Sequence, residues 1–340
     1  MKNTKTAVKT TILIIIVAVL IVVMIWGIGY GGGMWEKFSG MRFSFGGTQL
    51  PADAQIVTEF ETDRAGIKKI SLDYASEDIK VVKGSEKSIK IVQTSDRKLE
   101  EKHLMKNGIA NGTIESISGL KNQWIAWNTP KMQVTVTLPA DFEGELVIGT
   151  QSGTVQAEVG IQSQVKINTM SGSISLIGGK NIEANSTSGT ITALKSTGEN
   201  LKCETMSGDI AVKDAVVEMM EADSVSGGIF LSGDVREVKA NAVSGNIDID
   251  IKNPMDIDVE STSGEIEAQV KDASLLNKID MNSISGTVQI SLPENDGFTV
   301  DFESISGDMD NDFGEAVYKN GMIKIKVDTT SSDFDLKRVS

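Results

Sequence analysis

The sequence predicts an all-β protein, a parallel β-solenoid (β-helix) with coils of about 19 residues, preceded by one N-terminal transmembrane helix. Three observations lead to this prediction. A serine-glycine step recurs along most of the chain, apolar and polar residues alternate around each copy of it, and an uncharged apolar run lies close to the N-terminus.

Nine regularly spaced serine-glycine steps lie between Ser152 and Gly307, at intervals of 17–19 residues that lengthen to 22 and 21 near the end. A tenth, degenerate copy has Ser332 in the place of the glycine. Apolar residues occupy alternate positions before and after each glycine, but the alternation shifts by one residue there. A bend or bulge can absorb this shift, and glycine tolerates the backbone angles required, often with positive φ. Each copy should therefore form two short strands joined by a glycine corner.

One copy cannot bury its own apolar face, so the copies are expected to stack. Coils about 4.8 Å apart would give ten copies a length on the order of 50 Å. Residues 70–81 fit the same template, with Glu77 in the place of the glycine. Residues 97–130 interrupt the pattern and are interpreted as an insertion or an N-terminal cap, in which Trp124 and Trp127 would cover the first coil.

The N-terminus predicts a membrane anchor. Residues 1–11 form a basic tail with three lysines, and residues 12–28 are an uncharged apolar run, which is near the lower limit for a spanning helix. Lysines before the run place the N-terminus in the cytoplasm and the rest outside the cell membrane. A cleaved signal peptide is the alternative. Residues 29–55 form a glycine-rich linker, and residues 56–340 form the solenoid.

Composition excludes several classes of function. The net charge of −14 argues against a nucleic-acid partner, because phosphate binding needs a basic surface. A single cysteine excludes an intramolecular disulfide and a cysteine-based zinc site. Cys203 falls in an otherwise apolar column, so we expect a buried, unreactive thiol. The repeated serines are poor candidates for a nucleophile, since nine equivalent copies share the one histidine, His103; each is expected to be a small inward residue beside its corner.

The repeated step and the segment Val134–Val155 (VTVTLPADFEGELVIGTQSGTV) resemble the putative-adhesin domains of bacterial envelope proteins. The layout is also similar to the membrane-anchored accessory protein of Lia-type envelope-stress operons. The resemblance implies a β-helical envelope domain of largely unknown function and provides no catalytic residues to carry over.

Residues 246–315 contain 17 acidic residues and three lysines. Asp258, Asp280 and Asp301 should share one outward column, where like charges repel unless they are screened or bridged by a cation. A weak Ca²⁺ site is one hypothesis for this end, and a solvated acidic surface is the alternative. The candidate ligands are Asp308, Asp310 and Asp312.

A line of outward residues, each directly before a corner serine, is mostly apolar and is a candidate docking surface for a partner. Such a ladder can also simply stabilise the stacking of coils. Its apolar members are Met170, Met206, Val225, Val243, Ile284 and Ile305.

These observations favour a non-catalytic, extracytoplasmic β-solenoid that presents a binding or scaffold surface, as an adhesin-like or envelope-stress accessory protein. Its expected contacts are the membrane, through the N-terminal helix, and an envelope protein or glycan. No cofactor is expected apart from weakly bound Ca²⁺. One alternative is a polysaccharide-active β-helix enzyme with paired carboxylates. The other is a cation-stabilised, self-assembling structural module.

Overall fold

The computed structural model describes residues 50–85, 87–120 and 130–339. This part of the chain is all-β, with its strands joined in one sheet and a single 3-10 turn at Glu101–His103. No helix among these residues is long and apolar enough to span a bilayer. The predicted anchor at residues 12–28 lies outside the described residues, as do Trp124 and Trp127.

Seven strands precede the repeat region. They are β1 (Gln55–Asp63), β2 (Lys69–Asp73), β3 (Asp78–Gly84), β4 (Ser88–Ser95), β5 (Lys106–Ala110), β6 (Thr113–Ile117) and β7 (Met132–Pro139). The repeat region contributes β8 (Glu145–Thr150), β9 (Val155–Glu158), β10 (Gln164–Thr169), β11 (Ile174–Ile177), β12 (Lys180–Ser186), β13 (Ile191–Leu194), β14 (Thr197–Thr205), β15 (Ile210–Ser226), β16 (Ile229–Ser244), β17 (Ile247–Lys252), β18 (Asp256–Ser263), β19 (Ile266–Asp272), β20 (Lys278–Ser285) and β21 (Val288–Pro293). The C-terminal strands are β22 (Gly297–Glu303), β23 (Met309–Asn311), β24 (Val317–Lys319), β25 (Ile323–Ser331) and β26 (Phe334–Val339).

The strands form two faces that meet at the glycine corners. Face 1 holds the strands before each corner, in the spatial order β5-β6-β2-β8-β10-β12-β14-β15-β16-β18-β20-β25-β22-β24. Face 2 holds the strands after each corner, in the order β1-β4-β7-β3-β9-β11-β13-β15-β16-β17-β19-β21-β26-β23. β15 and β16 are long enough to contribute to both faces.

The predicted repeat columns are confirmed as the core of a solenoid-like sheet. Ile191 pairs with Ile210, Ile210 with Ile229, and Ile229 with Ile247, all in parallel register one coil apart. These side chains are at most 1% exposed. Aliphatic side chains stacked at this spacing bury nearly all of their apolar surface, which is the main source of stability in a fold with few aromatic residues.

Each corner glycine lies directly against the backbone of the neighbouring coil. A Cβ on Gly172 would come well under 3.0 Å from the carbonyl oxygen of Gly153, and the same holds at Gly189, Gly208 and Gly227 against the glycine one coil earlier. A positive φ is found at only three of the nine corners: Gly245, Gly264 and Gly286. The predicted need for unusual backbone angles therefore applies to those three, whereas close backbone approach requires glycine at all nine.

The corner serine does not point inward, contrary to the prediction. Ser171 and Ser188 are exposed, and their hydroxyls donate to carbonyl oxygens of the preceding coil at Gln151 and Met170, both at 3.3 Å. The inward position belongs to the residue three before the glycine. Its hydroxyl accepts the glycine N–H, as Thr169 does from Gly172 at 2.9 Å.

Both ends of the stack are interleaved. At the N-terminal end, β2 lies between β6 and β8, and β3 lies between β7 and β9. At the C-terminal end, β25 lies between β20 and β22, and β26 lies between β21 and β23. In both cases the coil nearest the end of the described chain is inserted under an outer coil, so the spatial order differs from the order of the repeats in the sequence.

Burial explains which C-terminal coil is inserted. Val327 and Phe334 of the inserted coil are fully buried, because neighbours cover them on both sides. The outermost coil places Met309 in the column of Phe334, and Met309 remains 38% exposed. The more apolar copy thus occupies the position where more apolar area is removed from water.

The corner geometry predicts the effect of adding one methyl group. Gly172→Ala should lower the free energy of unfolding by about 2–4 kcal/mol, because Cβ would collide with the Gly153 carbonyl in a stack that cannot separate locally. Gly108→Ala is the matched control, since its Cβ would meet nothing within 4 Å. Thermal and denaturant unfolding measure both. Equal stability of the two variants would contradict the close-approach explanation.

Candidate functional site

From the second corner onward, the outward residues two positions before the corner glycine, or before Ser332 in the degenerate copy, form one continuous line along the edge where the faces meet. We call this line the corner stripe. In spatial order it runs Met170, Thr187, Met206, Val225, Val243, Thr262, Ile284, Thr330 and Ile305. Met170 is 47% and Ile305 is 76% exposed, and the residues between them are half-buried. The stripe is uncharged throughout.

The six apolar residues proposed from the sequence all lie in this stripe. The last two in the sequence, Ile284 and Ile305, do not belong to adjacent coils. Thr330 of the interleaved coil separates Ile284 from Ile305. Sequence reasoning missed Thr330, because its copy is degenerate and comes last in the chain. The neighbouring Ser331 hydroxyl donates to the Ile284 carbonyl oxygen at 3.1 Å, which ties this coil into the stripe.

A second line on face 1 carries charges that mostly alternate in sign, and we call it the charge ladder. Lys166 Nζ lies 2.7 Å from Glu183 Oε1, and Lys202 Nζ lies 2.9 Å from Glu221 Oε1. Stacked opposite charges attract, whereas stacked like charges repel. In spatial order the ladder is Lys166, Glu183, Lys202, Glu221, Lys239, Asp258, Asp280, Lys326 and Asp301.

The predicted acidic column of Asp258, Asp280 and Asp301 is therefore wrong as a continuous run. The interleaved coil places Lys326 between Asp280 and Asp301. Asp258 and Asp280 remain adjacent, and burial followed by the charge of Asp280 raises the pKa of Asp258. The sequence could not reveal this arrangement, because Lys326 belongs to the last copy in the chain.

Three half-buried carboxylates lie close enough to share a cation, with oxygens within 4.8 Å of one another: Glu204, Glu221 and Asp223. The Lys202 ammonium already lies 2.8 Å from Glu204 and 2.9 Å from Glu221. Burial, with the Glu221 and Glu204 charges, raises the pKa of Asp223 to about 6, while a hydrogen bond donated by Asn241 at 2.7 Å opposes the shift. The group lies on a sheet face and is partly neutralised by lysine.

The acidic residues proposed as Ca²⁺ ligands lie on and beside β23, at the outermost edge of face 2. Asp310 forms an ion pair with Lys337 at 3.1 Å, and Asp312 accepts the Arg338 backbone N–H at 3.2 Å. Among the described residues, the three carboxylates do not form a group of oxygens within 4.8 Å. The Ca²⁺ site stays a prediction.

The remaining sequence candidates have structural roles. Cys203 is fully buried, as predicted, and burial raises the pKa of its thiol to about 12, which disfavours the reactive thiolate. The corner serines lie along the whole stack, whereas His103 lies in the turn before β5. A general base is therefore not repeated alongside them.

One groove is found at the edge opposite the corners, near the N-terminal end. Its volume is about 540 Å³, and it lies between residues 64–68 and residues 141–144. Arg64 crosses it to reach Asp141 at 2.7 Å. Sequence reasoning did not predict this groove, which is open and lined by charges of both signs.

The raised pKa of Asp223 predicts an unusual pH dependence. The folded value of about 6 exceeds the unfolded value of about 3.9, so ionisation of Asp223 destabilises the fold above pH 6, and protonation relieves this between pH 6 and pH 4. Asp223→Asn should raise the free energy of unfolding by about 1–2 kcal/mol at pH 7.5 and leave it unchanged near pH 4. Denaturant unfolding at the two pH values measures this. Glu199→Gln, an exposed carboxylate, is the control, and an equal gain at both pH values for Asp223→Asn would contradict the assignment.

Comparison with known proteins places this geometry in a family. The chain is similar to solved structures of a putative adhesin from Parabacteroides distasonis (12% identity, 84% of this chain and 99% of the other, TM-score 0.46) and of a putative lipid binding protein from the same species (14%, 86% and 98%, TM-score 0.43). It is also similar to a putative cell adhesion protein from Clostridium sporogenes (12%, 83% and 99%, TM-score 0.22). Similarity at these identities and TM-scores carries no conclusion about a ligand or an activity.

No curated protein matches the chain. The family model described as Toastrack DUF4097 matches residues 67–278 and 256–337, which together span the corners, both faces and the interleaved C-terminal coil. The predicted resemblance to a bacterial putative-adhesin family is confirmed at this level. The chain belongs to the Toastrack DUF4097 family.

Proposed function

We propose that this protein is a non-catalytic scaffold of the bacterial cell envelope, which binds an envelope protein along the corner stripe. One observation carries the proposal: the stripe is uncharged over nine successive coils, in a chain with a net charge of −14. A line of this kind presents an uncharged, mostly apolar edge, as interaction surfaces do.

The composition of the stripe favours a protein over a glycan. Its members are aliphatic residues, threonines and two methionines, Met170 and Met206, and none is aromatic. Methionine adapts its shape to an apolar partner, which is why it is common on protein-binding surfaces. A glycan would be the other outcome of the binding test.

The surroundings of the stripe support specific docking along the solenoid axis. On face 1 the stripe is flanked by a line of amide and acidic side chains, in which Asn241 donates to Asp223 at 2.7 Å and Asn185 donates to Asn168 at 3.0 Å. Hydrogen bonds between these polar side chains already order them, so little entropy is lost in ordering them when a partner binds. The sheet beneath holds the stripe rigid, because each coil pairs with both of its neighbours.

The predicted anchor at residues 12–28 would hold the protein in the cell membrane as a single-pass protein, with its N-terminus in the cytoplasm and its solenoid outside. The glycine-rich residues 29–55 would then let the rod reach partners at some distance from the bilayer. This placement follows from the sequence pattern alone.

Two aspartates placed in the stripe should abolish docking without unfolding the protein. Met206→Asp with Ile284→Asp should weaken partner binding by at least about tenfold, because each substitution buries a charge in an apolar contact. Thr192→Asp on β13 of face 2, with Thr287→Asp directly before β21, adds the same charge outside the stripe and is the matched control.

The measurement is site-specific photocrosslinking in intact cells from a probe at Val225, with protease or glycosidase digestion to identify the crosslinked product. The proposal predicts a discrete crosslinked product that glycosidase leaves unchanged and that is lost only in the stripe variant. Loss in both variants, or no loss in either while the fold is intact, would refute docking at the stripe. A glycosidase-sensitive product would replace the protein partner with a glycan.

A further inference from the structure

The exposed apolar side chains are concentrated at the two ends of the stack. Twelve large hydrophobic side chains are exposed among the described residues, and seven of these lie on the outermost elements. Three are on β1, β5 and β6 at the N-terminal end, and four are on or beside the coil formed by β22, β23 and β24 at the C-terminal end. They are Ile56, Ile109 and Ile117, and Ile305, Met309, Val317 and Met322.

Each end also presents sheet edges that are free in the described part of the chain. Face 2 ends at β1, which pairs only with β4, and at β23, which pairs only with β26. Face 1 ends at β5, which pairs only with β6, and at β24, which pairs only with β22. A free strand edge can pair with a further strand.

The strand directions at the two ends match. β1 is antiparallel to β4, and β4 is antiparallel to β7, so β1 runs in the same direction as the other strands of face 2, including β23. On face 1, β5 and β24 are both antiparallel to the rest of that face. The N-terminal end of one molecule set on the C-terminal end of another would therefore continue both faces with parallel pairing.

Charge opposes this contact. The exposed side chains of β1 form an acidic row of Glu59, Glu61 and Asp63. A second acidic row lies on and beside β23 and consists of Asp308, Asp310 and Asp312, which are all exposed. End-to-end stacking would place the two rows side by side. Lysines pair with Glu59 and Asp310, and the other carboxylates of the two rows repel one another at low ionic strength.

We propose that the two ends of the solenoid are a head-to-tail docking surface for a second copy of this chain, and that the acidic rows oppose docking until they are neutralised or screened. The contact is heterologous, so it can repeat and build a linear assembly. The proposal does not depend on the corner stripe, and either one can fail without the other.

The test is sedimentation equilibrium of the full chain in detergent micelles. Glu61→Gln with Asp308→Asn removes one charge from each row, and neither side chain forms a salt bridge with another described residue. The dissociation constant for association should fall on the order of tenfold. Association of the unmodified chain should also strengthen as salt rises to about 0.5 M, because screening weakens the repulsion.

Glu218→Gln with Glu237→Gln is the matched control, since it removes the same charge from exposed positions in the middle of the stack. All variants keep the N-terminal segment, so association through it is common to all of them. An equal gain in the control, or no association of the end variant at any salt concentration, would overturn the proposal.

A second set of substitutions tests the apolar part of the contact. Adding Ile109→Asp and Met309→Asp to the end variant should return it to a monomer, because both side chains are exposed on edge strands that the stack would cover, Ile109 on β5 of face 1 and Met309 on β23 of face 2. Circular dichroism checks that the fold is retained. Association that persists in this variant would exclude the ends as the docking surface.

Discussion

The close contact between corner glycines is the constraint on which the rest of this structure depends. At each of the nine corners from Gly153 to Gly307, the α-carbon of the glycine lies against a backbone carbonyl of the adjacent coil, with no room for a side chain between them. The corners therefore stack in strict register, and every other residue of the repeat is aligned with its counterpart. Flanking hydroxyls, such as those of Thr169 and Ser171, hold the corner in place by bonding to backbone groups.

Because the register is strict, each outward position of the repeat becomes a line of side chains. Charges along each line must therefore alternate in sign or be neutralised. The charge ladder does this by alternating lysine with glutamate or aspartate, and the interleaved coil extends the alternation by inserting Lys326 between two aspartates. The same coil brings Lys337 to Asp310. Interleaving thus buries the more apolar copy and lowers repulsion at the acidic end in one rearrangement.

The register also determines which surfaces of the solenoid stay exposed to partners. The corner stripe is uncharged and continuous, the ladders beside it are polar and internally bonded, and the ends are apolar but bordered by acidic rows. A Toastrack domain built in this way presents its uncharged outer surface as a line along the corners and most of its exposed apolar side chains at the ends. In that register burial, followed by the charges of Glu221 and Glu204, raises the pKa of Asp223, and the Lys202 charge opposes the shift.

The sequence by itself determined the strands of the repeats, the corner positions, the buried columns and every member of the corner stripe except Thr330, since all of these follow from residue type at a fixed period. Cys203 could be placed in the core for the same reason. Only the tertiary structure decided the order of the coils at the ends, the insertion of Thr330 and Lys326, and the outward direction of the corner serines. A repeat pattern records which residues share a column, but the order within a column depends on burial and charge between segments that are distant in the chain.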